Sequence, residues 1–259
     1  MSKKPPILTL FEEWCDKVSA VHNGHPFDVL TEKVNARDVI LPDLVSVLHD
    51  HYDARARFLE RAARLGYDRA VEVIRQRLPT TAIARSGDIG EILATEYVNS
   101  SLPFIIPINR LQWKDGRNTA LRGDDLIGFR LKANGKLDAL LKGESKSRIG
   151  LYDDAMGEAV TKLREYGGRP SPHTLLYLVD RLKEMGQTAS AEVLEDYALL
   201  GGAFPITHFI FTLSGNAPQT AIQTALTGTY LPGILRQVVG IVIVDHKDFI
   251  DAIFEIASA

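Results

Sequence analysis

Apolar residues in the first part of the chain recur at helical spacing. Phe58, Leu59, Ala62, Ala63, Val71, Ile74 and Leu78 are placed for buried stripes, so residues 1–80 read as a mainly helical N-terminal region. Leu78-Pro79-Thr80-Thr81 marks a boundary, because Pro79 ends the preceding helix and Ser86 can cap the next. Residues 81–259 then form the second unit. A helix over 86–99 buries Ile89, Ile92, Leu93 and Tyr97 and sets Asp88, Glu91 and Thr95 on another side. Residues 104–108 read as a first strand and 113–122 as a polar loop able to approach substrate or lead into the site. Strand composition returns at 123–131 and 138–146, around Asn134-Gly135. A helix follows from Leu151 or Asp153 to Gly167-Gly168, and helices at 172–184 and 189–199 make an insertion over about 170–200. The apolar runs 207–213 and 237–244 read as covered strands, and Asp245 is placed to cap a last helix over 247–256. The predicted class is α/β, a sheet flanked by helices.

The Asn134-Gly135 pair is the strongest short-range hairpin signal. With those two as the central turn residues, Ala133 pairs with Lys136 and Asp125 lies opposite Glu144. Directly opposed side chains have Cβ atoms roughly 4.5–5.5 Å apart, and two carboxylates there repel unless a cation joins them. Strand alternation puts Lys146 on the same face and turns Ser145 away. A bulge or a longer turn slips the register by one residue and brings Asp124 to the site instead of Asp125.

Two carboxylates with water positions left open suit Mg²⁺ or Mn²⁺. Lys146 beside them can orient a water, or as the free amine deprotonate it, and neutralise charge on phosphorus. This is the equipment of phosphodiester hydrolysis. The plain alternative is two exposed strand-end acids with Lys146 as ion-pair partner, an arrangement worth only about 0–1 kcal/mol. That alternative leaves the facing acids, the Glu91 helix and the strand order unexplained together.

An acidic residue opening one strand, followed after a hairpin by Glu144-Ser145-Lys146, resembles the PD-(D/E)XK nuclease superfamily. Glu91 matches the glutamate that many members carry on the helix before the core strands, although the superfamily's proline before the aspartate is missing here. The resemblance implies a restriction-endonuclease-like mixed sheet. Catalytic residues would be Glu91, Asp125, Glu144 and Lys146, with Asp125, Glu144 and Glu91 at the metal. More narrowly, the segments 85–91, 122–129 and 143–148 resemble the HamA family, the nuclease subunit of the Hachiman anti-phage system. That resemblance runs from about Thr80 to the C-terminus. It implies a bacterial cytoplasmic effector that degrades DNA with a superfamily 2 helicase, HamB.

Composition narrows the remainder. The chain has 259 residues, a net charge of -3 and one cysteine, Cys15. An intrachain disulfide and a cysteine-built zinc site are excluded, and a reducing compartment is the simple reading. No apolar run reaches the roughly 18 residues of a membrane span. Net acidity disfavours tight unaided DNA binding. Local charge differs, since Arg55, Arg57, Arg61, Arg64, Arg69, Arg75 and Arg77 crowd one stretch that can hold DNA, an acidic partner or simply water. These arginines support the second hypothesis, a non-catalytic module binding nucleic acid or a helicase. His49-Asp50-His51-Tyr52-Asp53 looks like a ligand cluster, yet residues two apart on a helix diverge, and a helix end is the expected reading. Ser147 and Arg148 are placed to contact a phosphate. Gly167-Gly168 and Gly201-Gly202 lack phosphate-loop context, so any motor must be a separate protein.

Overall fold

In the computed structural model, which describes residues 8–53, 55, 62, 64–67, 69–199 and 204–259, helix α1 (Leu8–Trp14) leads into strands β1 (Cys15–His22) and β2 (His25–Glu32). Helices α2 (Arg37–Tyr52), α3 (Arg69–Arg75) and α4 (Ala82–Ser101) follow. A 3-10 turn (Arg110–Trp113) precedes β3 (Leu126–Leu131) and β4 (Leu137–Arg148). The chain continues through α5 (Asp153–Arg164), α6 (Pro172–Glu184), α7 (Thr188–Leu199), β5 (Ile206–Ser214), α8 (Gln219–Thr227), β6 (Leu235–Val242) and α9 (His246–Ser258). The strands form one sheet in the order β1-β2-β6-β5-β4-β3, with parallel inner pairs and antiparallel outer ones. This is the predicted α/β class, a mixed sheet flanked by helices. Among the described residues no helix is long and apolar enough to cross a membrane.

Alternation along β5 feeds two layers. Phe209, Phe211 and Leu213 pack with Trp14, Leu48, Leu93 and Phe254 from α1, α2, α4 and α9. On the other face Ile210 meets Ala159 and Leu163 of α5 and Ile222 of α8. At the β3-β4 end, Ile127, Phe129 and Leu140 meet Leu178 and Leu182 of α6 and Leu194 of α7. The two helices read as an insertion therefore cover the sheet beside the predicted site.

The helical reading of residues 1–80 is corrected at 15–32. Asn23 and Gly24 hold φ of 50° and 78°, the two positive angles of a tight primed turn, and His22 pairs with His25 across it. β1 is an edge strand exposed along most of its length, so it carries no buried stripe to read. β2 pairs with β6 and brings the N-terminal hairpin into the common sheet. The strand expected at 104–108 is also absent. Only Ile105 bridges Phe129, and Pro107, which has no N–H, cannot extend the ladder. Helix α4 starts at Ala82, where the Thr81 hydroxyl accepts from the Ala84 N–H, and Ser86 instead donates to Ser147. Asp245 stands at the N-cap of α9 in the left-handed region without a capping side-chain bond. Phe58, Leu59, Ala63, Arg57, Arg61 and Gly201-Gly202 lie outside the described residues.

Candidate active site

The β3-β4 hairpin has the predicted register near the site and a different turn. Gly135 (φ 78°) donates to the Lys132 carbonyl and Lys132 N–H to the Lys136 carbonyl, closing a three-residue loop that shifts the pairing by one. A bulge opposite Arg130/Leu131 shifts it back. From there Arg130 faces Ala139 and Leu126 faces Gly143, so the next position brings Asp125 beside Glu144.

Asp125 sits just before β3 and anchors itself to β4 by accepting from the Ser145 backbone N–H at 3.0 Å. Glu144 is 3% exposed and its carboxylate lies 3.6 Å from the Lys146 ammonium on the same strand face. Glu91 arrives from the opposite layer. Helix α4 packs closely on β4 at Gly90, where an added Cβ would lie 2.7 Å from Ser145 Oγ and 3.1 Å from Ser147 Cβ. That close approach brings Glu91 to the strand end, where the Asp125 charge acts on both it and Glu144. Asp125, Glu144 and Lys146 thus share the mouth of the hairpin, and Glu91 stands near enough for the Asp125 charge to act on it.

Asp124 is held elsewhere. It is buried, accepts from the Ser171 N–H at 2.7 Å and lies 3.3 Å from the fully buried ammonium of Lys142, which also donates to the carbonyls of Glu165 and Arg169. Asp125 is the aspartate left at the cluster. Gly123 (φ 89°) makes this arrangement possible, since a Cβ there would lie 2.3 Å from Thr174 Oγ1.

Sequence reading missed Arg110. Its guanidinium is buried, donates to the main-chain carbonyls of Arg122, Asp124 and Asp125, and lies 3.9 Å from Glu91. One fork therefore fixes the backbone that presents Asp125 and places positive charge beside Glu91. Nothing at Arg110 in the sequence distinguishes it from a loop arginine, because its acceptors are main-chain atoms 12–15 residues away. Arg110→Lys keeps the charge but cannot span three carbonyls. It should lower stability by about 2 kcal/mol in urea unfolding, the usual cost of losing hydrogen bonds to a charged donor.

Burial and unlike surroundings decide the electrostatics. Burial pushes Glu144 up to about 8, helped by the Asp125 carboxylate and opposed by Lys146. Burial likewise pushes Glu91 up to about 7, with Arg110 pulling it down and Asp125 and Asp88 pushing it up. Behind Glu91, burial also raises Asp88, although Lys114 bonds it at 2.8 and 2.9 Å and the Tyr52 hydroxyl donates to it. The cluster is short of positive charge. Among the described residues no three His, Cys, Asp or Glu side chains are arranged to hold a metal by themselves. Two acids, Asp125 and Glu144, with the remaining positions left to water and phosphate oxygens are a donor set that fits a hard divalent cation.

The other candidates have structural duties. His51 bonds Glu96 at 2.8 Å, His49 bonds the Ala257 carbonyl and Tyr52 bonds Asp88, so this stretch is a buried helix end. Ser147 is buried between Ser86 and His246, at 2.9 and 2.8 Å, and cannot reach a phosphate; Arg148 is exposed. In the arginine-rich stretch, Arg55 and Arg77 pair with Asp53, and Arg75 donates to the carbonyls of Ser258 and Ala259.

A family model described as HamA matches residues 9–257. The chain is also similar to the Hachiman protein HamA of Bacillus cereus, 24% identical over 151 residues, which make up 58% of this chain and 53% of that protein. The chain thus spans about half the length of the curated relative it matches.

Proposed function

Since the chain belongs to the HamA family, we propose that it is a metal-dependent deoxyribonuclease, the effector of an anti-phage defence complex that includes a helicase. The observation that carries this reading is the placing of Asp125 beside Glu144 at one strand end, with Lys146 on the same face and Glu91 near enough for the Asp125 charge to act on it, burial holding Glu91 and Glu144 up at about 7 and 8. Asp125 and Glu144 would hold Mg²⁺ or Mn²⁺, and Glu91 would support that ion or a second one. The chemistry such an ion supplies is Lewis acidity toward a phosphoryl oxygen and toward the attacking water.

The remaining work falls to the chain. Lys146 orients the water and neutralises charge developing on phosphorus, a positioning and electrostatic role. Ser145 N–H fixes the Asp125 carboxylate, and Arg110 fixes its main chain. A helicase partner fits the charge of the chain, because a net charge of -3 gives little unaided grip on a polyanion.

The test is incubation of the purified chain, alone and with a helicase of the same defence system, on linear and supercoiled DNA in Mg²⁺ or EDTA. Fragments that require Mg²⁺ support the enzyme. DNA bound but left whole in Mg²⁺ with the partner present supports the non-catalytic module instead.

A further inference from the structure

A concave surface lies next to the carboxylate cluster, with Arg110 between them. A cavity of about 660 Å³ opens between the 3-10 turn, the loop that follows it and helix α6, within the roughly 300–1,000 Å³ usual for small-ligand sites. Among the described residues its charged lining is Arg110, Arg122 and Arg181 against Asp115, with Arg181 also paired to Glu184 at 2.5 Å. His173 and Thr174 line it from the first turn of α6, so the positive end of that helix borders the same space. Trp113 and Tyr177 add two aromatic surfaces, with the Arg181 guanidinium 5.4 Å from the Tyr177 ring centre.

The hydrogen bonding points the same way. Among the described residues seven buried side-chain polar atoms lack a partner, and three of them, Arg110 Nε, Arg181 Nε and Tyr177 Oη, belong to residues lining this cavity. Buried donors are normally satisfied, so spare ones in the wall of one space leave its side chains with hydrogen-bonding capacity to turn toward a ligand. Arg110 itself is 6% exposed. It ties the cavity to the cluster, because the same guanidinium lies 3.9 Å from Glu91 and donates to the Asp125 carbonyl at 2.8 Å.

From this we infer that the cavity takes one unpaired nucleotide of the strand being cut, with its base against Trp113 and Tyr177 and its phosphate on Arg122, Arg181 and the start of α6. Guanidinium groups suit phosphate, and aromatic faces accept any base without reading its sequence. A base inside a duplex is stacked and paired and cannot enter, so the site selects single-stranded segments, ends or extruded bases. The role as a substrate subsite rests on the nuclease reading above; the nucleotide chemistry of the cavity does not.

Tryptophan fluorescence tests this in EDTA, where cutting does not interfere. Trp14 is fully buried and Trp113 is partly exposed, so a ligand in the cavity quenches Trp113 over a constant background, and Trp113→Phe serves as the blank. The probes are a 12-nucleotide oligo-dT, a blunt duplex of the same length and dTMP. The expected order of affinity is oligo-dT first, dTMP at least tenfold weaker and duplex weakest. Arg181→Gln and the exposed-loop variant Arg122→Gln, each checked for folding by circular dichroism, should weaken oligo-dT binding at least tenfold. Parental affinity in both folded variants, or quenching by the duplex as strong as by oligo-dT, overturns the inference. Equal affinity for dTMP and oligo-dT overturns its strand assignment in favour of a free nucleotide. Because no cleavage is measured, each outcome stands whether or not the chain cuts DNA.

Discussion

Lys146→Ala is expected to slow Mg²⁺-dependent DNA cleavage by about 10³-fold, the scale on which one positioned charge or proton-transfer group contributes. The fold should survive, because Lys146 lies near the strand end and, among the described residues, pairs with Glu144 at 3.6 Å. Rates should be compared at saturating Mg²⁺ with the helicase present, alongside circular dichroism to show that the variant is folded. Lys146→Arg divides the role further. It retains charge but cannot accept a proton from water, so recovery of rate would assign charge neutralisation alone. A parental rate in folded Lys146→Ala removes the lysine from the mechanism.

The second large effect is on stability without metal. In EDTA, Glu144→Gln should be more stable than the parent above neutral pH and equal to it near pH 4. The sign follows from the raised acid. Below about 4.5, Glu144 is protonated in both folded and unfolded chains and costs nothing. Between 4.5 and about 8, the unfolded chain gives up its proton while the folded chain keeps it, so stability falls as pH rises through this window. Above about 8 the loss is complete. Its ceiling is about 5 kcal/mol. Half of that corresponds to a Tm difference of roughly 5–10 °C in a chain of this size. Glutamine carries no charge to strand and removes most of the slope. Glu91, pushed up to about 7, leaves a smaller residual slope of the same sign. Equal Tm differences between parent and variant at pH 5 and pH 8, measured by calorimetry in EDTA, would contradict the strained-acid account.

The placement of the candidate residues was legible where it depended on local periodicity. Alternation along β4 was enough to put Glu144 and Lys146 on one face. The hairpin register came out right although the turn did not: a longer loop and the later bulge each moved the pairing by one residue, in opposite directions. Asn134-Gly135 and Asn23-Gly24 have the same sequence, and only the second forms a turn with both residues at positive φ. Its strands were hidden because β1 is an exposed edge with no buried stripe, and because β2 acquires its place only by pairing with β6, about 210 residues away in sequence. The choice of Asp125 over Asp124 was likewise nonlocal, set by Lys142 and Ser171 capturing the latter. Arg110 was invisible for the same reason, since a fork onto three carbonyls leaves no residue pattern. Helix α6, by contrast, occupies the predicted 172–184, with Ser171 capping, Pro172 in its first turn and a sustained apolar face at Leu175, Leu178, Val179 and Leu182.

The most direct test is Mn²⁺ binding followed by electron paramagnetic resonance at pH 8, in the parent chain and in Asp125→Asn and Glu144→Gln. The account predicts that the parent removes Mn²⁺ from solution and that either neutral variant leaves at least ten times more of it free, with Lys146→Ala binding at least as well as the parent. Equal Mn²⁺ uptake by the parent and by both carboxylate variants would contradict the claim that Asp125 and Glu144 hold the ion together.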